Sequence, residues 1–218
     1  MVKLEHVIDE MNAVELAFVA HVGDIGAGAR ACTDDWLLER KQQFSRIRHP
    51  LILVPGDNEW TDCKDQPGRL RAWRAQFCFQ ERLPVERQAG EYCEHVRWES
   101  GGTLFVGLNV PGTNNNVRHP EEYAPRMKAV FAWVDESAAL ARERKLRLAL
   151  VMQADPFVTT PRDGYGALRD KLRELGARQD TVLIHGDTHV YRDDEPIPGV
   201  RRIEVWGSPV VDWLRLAF

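Results

Sequence analysis

Residues 51–60 read Leu-Ile-Leu-Val-Pro-Gly-Asp-Asn-Glu-Trp, and this stretch decides the fold. Four apolar residues stop abruptly at Pro55-Gly56, the pattern of a short strand buried on both faces. Glycine lets the backbone turn at once, so the carboxylate of Asp57 and the amide of Asn58 arrive at the strand's carboxyl end. The arrangement recurs along the chain. Residues 16–22 (Leu-Ala-Phe-Val-Ala-His-Val) run into Gly23-Asp24, residues 146–152 run into Gln153-Ala154-Asp155, and residues 181–184 lead through His185 into Gly186-Asp187-Thr188-His189. In open α/β sheets functional groups gather outside the carboxyl ends of the strands. Four such ends place Asp24, Asp57, Asn58, Gln153, Asp187 and His189 around one point. Carboxylates collected without nearby cations repel one another, and a bound cation is the natural compensation. A single Gly-Asp after a strand is ordinary turn chemistry; the ordered set carries the reading.

The remaining segments supply the frame. Leu4, Val7, Ile8 and Met11 form a helical stripe over Val2–Asn12, and Thr33 or Asp34 caps a second helix running to about residue 46. Residues 69–77 read as a helix, and residues 93–99 and 103–109 as a hairpin across Gly101-Gly102. A polar loop over 110–120 leads into a long helix to about residue 144, and a further helix covers 164–175. Residues 203–206 and 210–216 are expected to close the chain as a strand pair. Crossovers mixed with hairpins predict an α/β fold: a mixed β-sheet flanked by helices, in one domain over residues 1–218.

Composition narrows the function classes. The 218 residues are 44% hydrophobic and 28% charged, with a formal net charge of −4. That balance offers no nucleic-acid surface. The run Arg-Glu-Arg-Lys-Leu-Arg at 142–147 interleaves both signs and reads as the solvated end of a helix. No window approaches the ~18 apolar residues of a membrane span. The charged, amphipathic start is no signal peptide, so the chain as written reads as a cytoplasmic protein without a membrane partner. Cys32, Cys63, Cys78 and Cys93 form no Cys-x-x-Cys pair, which argues against structural zinc. They are either reduced thiols or include a disulfide if the protein is exported.

Taken in order, the blocks Gly23-Asp24, Gly56-Asp57-Asn58-Glu59, Gln153 and Gly186-Asp187-Thr188-His189 resemble the calcineurin-like metallophosphoesterases. That family carries Asp-x-His, Gly-Asp, Gly-Asn-His-Asp/Glu, a lone His and Gly-His-x-His. The resemblance implies a β-sheet sandwich flanked by helices. It puts Asp24 where a metal-bridging aspartate sits, Asp57 in place of a ligand asparagine and Asn58 in place of the acid histidine. Gln153 falls at the lone ligand histidine, Asp187 at the first histidine of the last block, and His189 at its second. The first block has no counterpart, so the domain is expected to lack its first strand. Val-Pro-Gly-Asp-Asn-Glu-Trp at 54–60 and the Val-Pro-Gly-x-Asn-Asn-Asn loop at 110–116 are closest to a divergent bacterial branch. A Gly-Asp-Thr-Pro-Tyr-like segment belongs ahead of the first helix there, which implies a shortened chain or a misplaced start. A leader lost with it would make the protein periplasmic or secreted. The resemblance also sets Cys32 and Cys63 in loops after neighbouring strands, where they form either a disulfide or two thiols.

These matches set the expected chemistry. Two-metal phosphoesterases hold cations ~3.5–4 Å apart to generate a hydroxide and neutralise phosphoryl oxygens. Here Asp24 would bridge, Asp57 and Asp187 would hold one cation with Gln153 assisting, and His189 would serve a second, weakly held one. Oxygen donors favour Mg²⁺ or Mn²⁺ and admit Ca²⁺, while Fe and Zn fit less well. Asn58 and His189 are the catalytic candidates, although Asn58 cannot titrate and only hydrogen-bonds to phosphate. Asn109, Asn114 and Asn115 either line a phosphate site or make turns. His21 and His185 are read as core histidines. Two functions follow: hydrolysis of a phosphate mono- or diester of a phosphorylated small molecule, or a catalytically degenerate binding or scaffold domain that keeps the fold. Oligomeric state is not legible.

Overall fold

The computed structural model describes residues 2–217. Its centre is a seven-stranded mixed sheet of order β3-β4-β5-β6-β7-β9-β8. These strands are Glu86–Arg87, Val96–Ser100, Thr103–Gly107, Arg147–Val151, Thr181–His185, Val200–Glu204 and Arg192–Ile197 in that spatial order. The β5-β6-β7-β9 run is parallel, whereas β3-β4, β4-β5 and β9-β8 pair antiparallel. A separate parallel pair joins β1 (Val19–His21) to β2 (Leu51–Leu53).

Side-chain alternation stacks these sheets and the helices in layers. Ile52 of β2, together with Phe18, Ala20 and Val22 around β1, packs on Val96, Trp98, Phe105, Ala149, Val151 and Ile184 of the large sheet. On the far side of the small pair, Val19, Leu51 and Leu53 meet α1 (Val2–Asn12), α3 (Asp34–Phe44) and α4 (Gln66–Phe77) through Ile8, Leu37, Phe44 and Trp73. On the far side of the large sheet, Leu104, Val106, Leu148, Leu150 and Leu183 pack on α6 (Pro120–Glu143) and α7 (Gly166–Gly176) through Val130, Trp133, Leu168 and Leu172. The order is helices, small sheet, large sheet, helices. No described helix is long and apolar enough to cross a membrane.

The chain's last strands differ from the expectation. The closing pair is the hairpin β8–β9 across Pro198-Gly199, while residues 210–216 lie in no strand. Arg192–Ile197 lacks an apolar alternation because it is an edge strand, with Asp193, Asp194 and Glu195 exposed and Pro196 tolerated at the edge. Residues 214 and 216 still turn their leucines into the core between the sheets, and Trp213 packs on the α1 side. Their alternation is therefore a packing pattern without a hydrogen-bonded partner strand.

Both edges of β1 bear on the site. One edge pairs with β2. Along β1 runs a cavity of about 910 Å³, lined by Phe18, Ala20 and Val22, by Val151 and Ile184, and by Leu214 and Leu216. It opens onto Asp24, Asp187 and His189.

All four cysteines are bonded, as Cys32–Cys63 and Cys78–Cys93. The first bridge ties α2 (Gly28–Ala31) to the loop after β2, and the second fastens the end of α4 to the approach to β4. The cysteines of the second bridge are 15 residues apart in sequence, a loop whose closure is worth about 3 kcal/mol of unfolded-state entropy. Replacing both as Cys78→Ser/Cys93→Ser is expected to lower unfolding stability by about that amount. A urea melt with an unchanged midpoint would contradict it.

Candidate functional site

The site begins with two glycines. A Cβ on Gly56 would fall 2.2 Å from Asp24 Oδ1, so the ends of β1 and β2 meet only because Gly56 has no side chain. A Cβ on Gly112 would lie 2.5 Å from Asp57 Oδ2 and 2.7 Å from Asp187 Oδ1. Its absence lets the loop after β5 close over both carboxylates. Asp24, Asp187 and His189 hold left-handed backbone conformations at φ 60°, 82° and 62°, a strain that clusters where strand ends must aim side chains at one point.

Gln153 is the hub. Its Nε2 donates toward Asp24 Oδ2 at 3.1 Å, Asp57 Oδ1 at 3.1 Å and Asp187 Oδ1 at 3.2 Å. Its Oε1 accepts from the Gly112 amide. An amide has two protons, so three carboxylates share two donors. Asp24 Oδ1 also accepts from the Asn58 amide at 3.3 Å, and Asp187 Oδ2 from the Asp155 amide at 3.3 Å. Glu59, fully buried, accepts from the Ile25 amide at 2.9 Å through one oxygen and leaves the other without a hydrogen-bond partner among the described residues.

The electrostatics follow from this crowding. Burial, then the charges of Glu59 and Asp57, push the Asp24 carboxyl up to about 9. Burial and Asp57 raise Asp187 to about 6, and burial raises Glu59 to about 7. The strongest charge effects on Asp24 and Asp187 come from other carboxylates, Asp57 foremost on Asp187 and Glu59 foremost on Asp24. The cluster is therefore short of positive charge, and only a proton or a cation makes up the difference.

The sequence candidates divide by place. Asp24, Asp57, Gln153 and Asp187 come together. Asn58 lines the same cavity as Asp24 and Gln153, anchored through its backbone. His189 is exposed at the cavity mouth, its ring against Gly207. The structure places Gln153 with its nitrogen toward the aspartates, so its oxygen could ligate only after the amide turned over and left Gly112. Asn109 lies fully buried in another network, donating to Glu94 Oε1 at 2.8 Å beside the Arg74–Glu94 pair. Asn115 donates to the Gly164 carbonyl and accepts from Arg126, while Asn114 accepts from the Gly164 amide. Both amides hold the loop to its neighbours rather than facing the cluster. His21 points into the α-helical layer against Phe44, with Nδ1 accepting from the Gly23 amide at 3.2 Å.

One feature escaped the sequence reading. Across the short helical turn α5 (Gly112–Asn115) and just after it, Thr113, Asn114, Asn115 and Asn116 are four consecutive left-handed residues, with φ between 46° and 56°. Such runs are costly, and asparagine tolerates them better than other side chains. The turn carries Thr113 Oγ1 to 2.7 Å from Asp57 Oδ2 and 2.9 Å from Asp62 Oδ1. Three adjacent asparagines after a glycine were the available signal; they are the backbone solution that delivers Thr113.

No protein-family model matches the chain, and no curated protein matches it.

The charge deficit sets a pH dependence. Asp24, Glu59 and Asp187 keep protons in the folded, cation-free protein at pH values where the unfolded chain has lost them, so stability falls as pH rises from the ordinary carboxylate range through about 6, 7 and 9. Urea melts in EDTA should show a midpoint that declines between pH 6 and 9, restored by Mn²⁺ and flattened by Asp24→Asn. A flat profile in EDTA would contradict this account.

Proposed function

We propose that this chain is a divalent-cation-dependent phosphoesterase of the calcineurin-like kind, acting on a phosphate mono- or diester of a small molecule. One observation carries the reading: Asp24, Asp57 and Asp187, from the ends of β1, β2 and β7, meet at a point where neighbouring charge is negative. Three oxygen-donor carboxylates suit Mg²⁺ or Mn²⁺, and Ca²⁺ after them. A cation held there would neutralise phosphoryl oxygens and acidify a bound water. Asn58, on the cavity wall, offers a neutral hydrogen bond to a phosphate oxygen and has no proton to give a leaving group. The reaction is then confined to esters whose leaving groups depart without an acid.

A second reading, a domain that binds without turnover, is favoured by Gln153. Its Nε2 lies among the three carboxylates, as a neutral stand-in for a cation. Assays with nitrophenyl phosphate and bis-nitrophenyl phosphate across Mg²⁺, Mn²⁺ and Ca²⁺ separate the two. The phosphoesterase reading expects cation-dependent hydrolysis that falls about a hundredfold or more in Asp57→Asn, and much slower turnover of alkyl phosphates. Absence of hydrolysis with every cation, in protein that melts cooperatively, would leave the binding domain.

The two disulfides support maturation in an oxidising compartment, periplasmic or extracellular, over the cytoplasmic reading. Protein made in an oxidising host should show no free thiol on denaturation with a thiol reagent. Four reactive thiols would refute that placement.

A further inference from the structure

A second buried cluster stands behind Asp187 at the ends of the large sheet. Asp155 follows β6, His185 ends β7 and Glu204 ends β9; they are 3%, 0% and 0% exposed. One ligand-capable atom from each lies within 4.8 Å of the others. His185 Nδ1 is 2.9 Å from the Gly186 carbonyl oxygen. That oxygen can only accept, so the ring proton is on Nδ1 and Nε2 presents a bare lone pair. Nε2 is buried and has no hydrogen-bond partner among the described residues.

The positive charge nearby does not complete the cluster. Arg202 is bound to Asp194 by paired contacts of 2.8 and 2.6 Å and stands 3.6 Å from Asp155 Oδ1. Arg202 is thus shared between Asp194 and Asp155, while Arg192 reaches both Asp155 and Glu204. Arg192 contacts Glu204 Oε2 and Thr188 Oγ1 and lies 3.8 Å from Asp155 Oδ2. Two arginines against the three carboxylates of Asp155, Glu204 and Asp194 leave one negative charge over, and no donor among the described residues meets His185 Nε2. Arg192 is the outermost member, with its side chain 32% exposed, so it can withdraw to solvent.

We propose that Asp155, His185 and Glu204 form a divalent-cation site of their own, suited to Zn²⁺ by its imidazole, with Arg192 as a counter-ion that the bound cation displaces. A divalent charge balances both carboxylates once Arg192 leaves, and it gives Nε2 its partner. One imidazole with two carboxylates is a donor set that zinc accepts. The Nδ1–H bond to the Gly186 carbonyl is the outer contact that fixes the tautomer of a ligating histidine. The Asp155 amide donates to Asp187 Oδ2 at 3.3 Å. The site would thus brace the loop that carries one of the three aspartates described above, and it does not depend on how that cluster acts.

Calorimetric titration of the full chain with Zn²⁺ tests it, alongside Asp24→Asn/Asp57→Asn, His185→Gln and Arg192→Ala. Binding is expected to survive in Asp24→Asn/Asp57→Asn, to weaken at least tenfold in His185→Gln, and to tighten severalfold in Arg192→Ala. Zn²⁺ should raise the melting temperature of the wild type and of Arg192→Ala but not of His185→Gln. If His185→Gln does not fold, the surface variant Arg192→Ala still decides. Weaker or unchanged binding in Arg192→Ala, or loss of all Zn²⁺ binding in Asp24→Asn/Asp57→Asn, would overturn the proposal.

Discussion

Three carboxylates share two amide protons at Gln153, and the layered fold is what forces them together. Repulsion among Asp24, Asp57 and Asp187 would part them if they sat on mobile loops. Each instead follows a strand fixed between packed layers: Val22 and Ile184 are rooted in the core between the sheets, and Val54 is fully buried. The strands' directions add up. β1 and β2 run parallel, as do β6 and β7, so their carboxyl ends open to one side. Packing on this scale, with many core side chains fully buried, outweighs the local charge cost. The raised pKa values of Asp24 and Asp187 are the residue of that contest.

Backbone strain and covalent ties serve the same end. The left-handed turn from Thr113 to Asn116 is held by bonds that reach far along the chain. Asn115 gives its amide to Tyr165 Oη and its side chain to Gly164, and Asn116 shares Gln66 and Glu122. Arg126, fully buried, collects Asn115, Asn109 and Glu122 behind it. Strain persists where the surroundings over-determine it, and this turn is pinned from α4, α6 and the loop before α7. On the opposite side the sulfurs of Cys32 and Cys63 lie 3.9 and 3.5 Å from the Asn58 carbonyl oxygen. The crosslink therefore abuts the backbone that presents Asp57.

Legibility in the sequence tracked how each element is made. Buried parallel strands announce themselves as short apolar runs because both faces are covered: β2 and β6 lie within the runs at 51–54 and 146–152, and β7 spans the run at 181–184 and extends it by His185. Arg192–Ile197 did not, because an edge strand needs no apolar face. Carboxylates at strand ends were visible for the same reason the strands were. The roles of Asn109, Asn114 and Asn115 were not: an amide bonds equally well to a ligand, a carboxylate or a distant backbone, and composition does not distinguish these. Pairing of the cysteines depends on which loops fold together, and only Cys32–Cys63 had a resemblance to bring it into view. His185 shows the limit most clearly. Alternation correctly sets it inside the sheet, yet its free Nε2 is a property of the Gly186 carbonyl and of two carboxylates about 20 to 30 residues away in sequence.

Charge placement joins the two clusters into one design. The arginines of this chain are largely matched: Arg97 with Glu86 and Glu136, Arg74 with Glu94, Arg126 with Glu122, Arg202 with Asp194. Among the described residues the Asp24–Asp57–Asp187 cluster has no such match, whereas Asp155 and Glu204 share Arg192, with Arg202 a further 3.6 Å from Asp155 and already paired with Asp194. Solvated pairs elsewhere contribute little to stability, so the asymmetry is not a general feature of the surface. It falls at the ends of β1, β2, β6, β7 and β9, where buried carboxylates are most costly to leave bare. Two neighbouring clusters are thus left with excess negative charge and are joined through the Asp155 amide and Asp187, and the cations proposed for them would supply the missing positive charge.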